Sequence, residues 1–191
     1  MLTWSLRRFH AAQERAEEGF EAALCELRGT GKRGHWIWYV FPQLAGLGGS
    51  SMAREYAIQG RDEALGYLHD PVLRSRLLEA TRAVKDRLGE GWPLERVMGS
   101  HIDCVKLVSS LTLFEWAART VAEGDGETQG TADVQPQGEG NSDAHSEARS
   151  RQAAKDGEEC ETLAALAAEV LAMASQQGFA PCEFTLRVVG K

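Results

Sequence analysis

Apolar positions recur at threes and fours along most of this chain, so helices dominate the expected structure. In residues 5–28 the stripe is Leu6, Phe9, Ala12, Ala16, Phe20, Ala23, Leu24 and Leu27, with Glu14, Glu17, Glu18 and Glu21 elsewhere. This reads as one amphipathic helix stopped by Gly29 and Gly31. Asp70-Pro71 predicts a cap with proline at the first helical position, opening a helix to about Leu88 along Val72, Leu73, Leu77, Ala80, Val84 and Leu88. Shorter helices are expected at 52–58, capped by Ser50, and at 61–68 and 93–98. Residues 103–121 form the second strong helix. Cys104, Val105, Leu107, Val108, Leu111, Phe114 and Trp116 make it apolar nearly all round, which predicts burial. Residues 162–177 give one more helix. Residues 184–189 alternate and read as a short strand or an irregular tail.

Between the first and second halves of this pattern lies HWIWYVFPQLAGLGGSS, residues 35–51. Seven residues, 35–41, are too few for periodicity to choose between a short buried helix and a strand. Pro42 biases Phe41 toward extended backbone, so a helix should end there. Gly46, Gly48 and Gly49 then permit a sharp turn or a close approach.

Composition changes this picture in one place. Of the 28 acidic and 21 basic residues, ten acids and three bases fall in 123–159, so that segment carries the whole net charge of −7. It has one valine and no other aliphatic residue larger than alanine, too little to offset its ordering entropy. It reads as a disordered acidic insertion. The expected architecture is all-α: a single compact orthogonal helical domain built from residues 1–122 and 160–191. The remainder is charge-neutral, which disfavours a nucleic-acid duplex as partner. The four cysteines are dispersed and form no CxxC pair, which suits a reduced cytoplasmic protein. No stretch has the apolar length to span a bilayer, and MLTWSLRRFH lacks a signal-type apolar core. The five histidines have no ligand-like spacing, so neither a metal nor a cofactor is expected.

Chemistry concentrates in two stretches. At 100° per residue, Asp103, Lys106 and Ser110 share one sector of their helix. A polar stripe on a buried helix must be solvated, paired or lining a cavity. Lys106 can hold a phosphate or carboxylate, or pair with Asp103 at i,i+3 spacing. Ser109, Ser110 and Thr112 add hydroxyls, or bond back to their own helix. In the aromatic stretch, His35 is a candidate acid/base group or a core histidine. Trp36 and Trp38 are candidate stacking faces or core filling. Gln43, Gly46, Gly48 and Ser50 offer an amide, backbone N–H groups and a hydroxyl suited to an anion, without the lysine and spacing of a P-loop.

RFHAAQ (8–13), HWIWYVFPQLAGLG (35–48), EALGYLHDPVLRSRL (63–77) and MGSHIDCVKLVSSLTLFEWA (98–117) resemble the domain-of-unknown-function family 1810, which sometimes carries the label calpastatin. The resemblance spans about residues 4–120, and more weakly 162–190. It implies a mainly α-helical fold and no established activity; the segment 123–159 departs from the family, which runs more directly into its last helix. Two functional expectations follow. In the first, the two stretches line one pocket for a small anionic, phosphate- or nucleotide-like molecule. In the second, an enzyme acts on such a molecule, with His35 or Asp103 as acid/base and Lys106 holding the anion. Both place His35 near Lys106. A third reading leaves these groups as structural stitching, and the tryptophan-rich wall also suits a homodimer contact.

Overall fold

The computed structural model describes residues 3–124 and 142–190. The described chain is mainly helical: α1 (Thr3–Gln13), α2 (Phe20–Arg28), α3 (Ile37–Val40), α4 (Ser51–Glu55), α5 (Arg61–His69), α6 (Pro71–Gly89), α7 (Leu94–Met98), α8 (His101–Ala122), α9 (Ser142–Gln176) and α10 (Glu183–Val189). Among the described residues there is no strand, and the one extended pairing is an isolated bridge between Leu44 and Ile58. α8 sits at the centre, packed by α9, α5, α7 and α10, while α6 packs on α9 and α2. Leu107, Leu111, Phe114 and Ala118 of α8 are buried together with Leu163, Ala167 and Val170 of α9. No described helix is long and apolar enough to cross a membrane.

The expected caps form. Asp70 accepts from the N–H groups of Val72 and Leu73 at 3.0 Å each, with Pro71 at the first helical position. Ser50 caps α4, and Ser100, which the sequence reading did not single out, caps α8. The aromatic stretch resolves as a single helical turn, and it ends before Phe41-Pro42.

Several elements differ from the sequence expectation. The helix expected over 5–28 is two, α1 and α2, with the break at residues 14–19. Gln13 is buried there and donates to Tyr39 O at 2.7 Å and to the Tyr67 hydroxyl at 3.3 Å, so tertiary contacts draw the end of α1 inward. The following turn brings backbone so close that a Cβ on Gly19 would lie 2.1 Å from Arg15 O. The tail at 184–189 is helical, as α10. Val72 and Val105 face outward, not into the core.

The acidic segment divides. Residues 125–141 of the expected insertion lie outside the described residues, whereas 142–159 form the first half of α9. The segment's last residues are tied to the core by a charge pairing that hydrophobicity does not register. Arg74 of α6 is buried, and it bonds Asp156 at 2.5 Å, Glu159 at 2.8 Å and Leu68 O at 2.7 Å. A buried guanidinium requires partners, and α9 supplies them at i,i+3 spacing.

Candidate ligand-binding cleft

The site begins where α8 begins. Ser100 Oγ accepts from Asp103 N at 3.1 Å, which sets the first turn of α8 and aims the Asp103 carboxylate back toward the loop after α2. That loop carries Lys32, whose N–H bonds Val97 O at 2.8 Å. The contact needs glycine at position 99: its φ is +77°, and a Cβ there would stand 2.5 Å from Lys32 O. Lys32 Nζ lies 2.7 Å from Asp103 Oδ2, and Lys106 Nζ lies 2.9 Å from Oδ1. One carboxylate therefore serves two ammoniums. The side chains of Lys32, Asp103 and Lys106 are 8%, 14% and 20% exposed, so the trio is largely out of water. Burial by itself would raise the Asp103 pKa. The hydrogen bonds and charges of the two lysines outweigh it and hold the carboxyl below its usual range. Lys32 also donates to Gly34 O at 2.7 Å and stands 5.3 Å from the Trp36 ring centre.

Lys106 faces the aromatic stretch. Its ammonium sits 4.5 Å from the centre of the Trp38 ring, a cation–π distance. From there a cleft of about 460 Å³ opens between the glycine turn, from Gln43 to Ser50, and the first two turns of α8. Its α8 wall is His101, Ile102, Val105 and Lys106. Below it lies a void of about 10 Å³, bordered by Trp38, Gln43, Tyr56 and Lys106, the size of one water molecule. Trp38 Nε1 is buried and has no hydrogen-bond partner. His101 stands at the mouth, with Nδ1 3.1 Å from Glu95 Oε1 and its ring 5.0 Å from that of Phe179. Among the described residues no three His, Cys, Asp or Glu side chains come together as a metal-binding group.

The expected site residues therefore separate. Trp38, Gln43, Gly48, Ser50 and Lys106 line the cleft, with Asp103 behind Lys106. His35 does not join them: its side chain is 78% exposed, it stands 4.0 Å from Glu18, and it borders neither this cleft nor a second one near Trp116. Trp36 is core, and its Nε1 donates to Glu26 at 2.7 Å. Gly46 lies under the Phe184 ring, away from the opening. Ser109, Ser110 and Thr112 are buried on α8. Thr112 donates to Val108 O at 2.7 Å and accepts from Cys182 N at 3.1 Å, so it ties α8 to the residue that precedes α10, and the hydroxyls of Ser109 and Ser110 are buried without a hydrogen-bond partner.

Of two further residues at the site, Lys32 was not legible as a site residue and His101 was legible only as a neighbour of Asp103. Lys32 has no sequence spacing to Asp103 that would betray the pairing. His101 has a weak signal: it follows the cap Ser100 and so stands at the exposed start of α8.

Comparison with known proteins adds the following. A family described as protein of unknown function (DUF1810) matches residues 3–127. The crystal structure of the conserved hypothetical protein Rv1873 from Mycobacterium tuberculosis is similar at 27% identity, with a TM-score of 0.62 and 99% of each chain covered. No curated protein matches.

Proposed function

The chain belongs to the DUF1810 family, which brings no activity with it, and from the chemistry of the cleft we propose that the protein binds a small anionic molecule through Lys106. One observation carries this reading. Asp103 is shared between two ammoniums, the Glu26 carboxylate also acts on Lys32, and Lys106 presents its ammonium to the cleft. An ammonium with N–H groups left over, facing a cleft, attracts an anion through charge-assisted hydrogen bonds. The volume of about 460 Å³ lies in the range of small-molecule sites. The start of the 22-residue helix α8 adds its positive dipole end on the same wall.

The enzyme reading has less support. His35 stands apart from Lys106's cleft, and each oxygen of Asp103 is held by an ammonium, which opposes proton abstraction. The purely structural reading makes a different prediction from binding, and calorimetry separates them. Acetate, benzoate, inorganic phosphate and adenosine monophosphate are titrated into the wild type and Lys106→Met. The variant keeps the Lys32–Asp103 pair and so keeps its fold. At least one anion binds the wild type and binds Lys106→Met at least tenfold more weakly. Equal heats for both proteins with all four probes would refute the proposal.

A further inference from the structure

We infer that the anion taken by this cleft is a monoanion with an apolar body, a carboxylate borne on an apolar group, and not a nucleotide or sugar phosphate. This rests on the anion-binding reading above and narrows it.

Charge is the first argument. Asp103 is shared by Lys32 and Lys106, Lys32 also faces the Glu26 carboxylate, and among the described residues Lys106 is the one lysine or arginine on the cleft wall. His101, the other ionisable group there, has its Nδ1 against the Glu95 carboxylate. One ammonium matches the single charge of a carboxylate. A phosphate monoester brings close to two negative charges, and sites for it commonly gather arginines or several cations. Here the Asp103 carboxylate stands directly behind the lone ammonium and would repel the second charge.

The donors are the second argument. Lys106 Nζ spends one hydrogen bond on Asp103, and an ammonium has three N–H groups. The side chains of Trp38 and Gln43 border the same small void as Lys106. Trp38 Nε1 is buried without an acceptor. The ammonium, with the Gln43 NH2 among the lining groups, offers donors to a group that only accepts, which is what an ionised carboxylate does. A sugar hydroxyl, needing an acceptor for its own proton, fits this floor poorly.

The walls are the third. Ile102 and Val105 are 66% and 50% exposed, one turn apart on α8, and both border the cleft with Leu47 across from them. These are large aliphatic side chains left in water beside a cation, and an apolar body attached to the carboxylate covers them.

Calorimetry at pH 7.5 tests this with indole-3-acetate, phenylacetate, phenylacetamide, inorganic phosphate and adenosine monophosphate. The two acids bind, and phenylacetamide, the uncharged isostere of phenylacetate, binds at least tenfold more weakly. Phosphate and adenosine monophosphate are also at least tenfold weaker than the acids. Lys106→Met removes the preference for acid over amide. Ile102→Ser with Val105→Ser, both at exposed positions, weakens the acids about tenfold and leaves that preference in place. If phosphate or adenosine monophosphate binds through Lys106 as well as or better than the acids, the carboxylate class is wrong and anion binding stands. If the serine pair leaves acid affinity unchanged, the apolar-body claim is wrong. If no probe depends on Lys106, both readings fall.

Discussion

Asp103→Asn is the sharpest perturbation of this structure. It keeps the side-chain shape and removes the charge that two ammoniums share, at 2.7 and 2.9 Å. Two lysines bonded to opposite oxygens of one carboxylate lie about 5–6 Å apart. At an effective dielectric near 20 their repulsion is about 3 kcal/mol. Removing one partner of a buried pair costs about 3–5 kcal/mol in general, and the partial exposure of this trio places it at the lower end. We expect a loss of about 3 kcal/mol. For a chain of this length that is a Tm lower by about 6–12 °C. Lys106→Met is the matched control. It leaves the Lys32–Asp103 pair neutral and should cost less than about 1 kcal/mol. Urea and thermal unfolding of the three proteins give the comparison. The pH dependence supplies a second reading. The folded-state pKa of Asp103 is depressed, so its contribution is full above the unfolded value of about 3.9 and is lost as pH falls through the folded value. The gap between wild type and Asp103→Asn should therefore be constant above about pH 5, narrow below about pH 4 and close once pH has fallen through the folded value. An Asp103→Asn variant no less stable than Lys106→Met, or a gap that persists in acid, would refute the shared-carboxylate account.

The remaining predictions concern residues whose roles the tertiary structure reassigns. His35→Ala should change stability by less than about 0.5 kcal/mol and leave anion affinity unaltered, because the imidazole is solvated and outside the cleft; calorimetry and thermal melts check both. Replacing Asp156 and Glu159 together by alanine leaves the buried Arg74 guanidinium with only Leu68 O among the three acceptors bonded to it. The expected cost is about 3–5 kcal/mol, with amide hydrogen exchange across residues 151–160 accelerating; unchanged exchange there would show that this pairing does not hold α9.

The amino-acid pattern by itself determined the helical class, the caps at Ser50 and Asp70, the end of α3 before Phe41-Pro42, and the burial of α8's apolar faces. These are local matters: periodicity, capping chemistry and proline sterics act within a few residues. It also singled out the two stretches that meet at the cleft, because polar groups on a nearly all-apolar helix and glycines after an aromatic run are anomalies visible in one dimension. Pairings across long sequence separation were decided only in three dimensions. Gln13 is an ordinary helix residue until Tyr39 and Tyr67 draw it inward and end α1. Asp156 and Glu159 belong to a segment too polar to fold on hydrophobic burial, and they are helical against Arg74 because a guanidinium already out of water needs them. His35 stands beside the right tryptophans, yet one helical turn aims Trp36 and Trp38 to different surroundings and leaves the imidazole in solvent. Lys32 is the clearest case: no spacing rule connects it to Asp103, and the approach depends on Gly99 letting two backbones touch. Side-chain electrostatics in a folded protein depend on distance in space and on how much water remains, and neither quantity is written in the order of the residues.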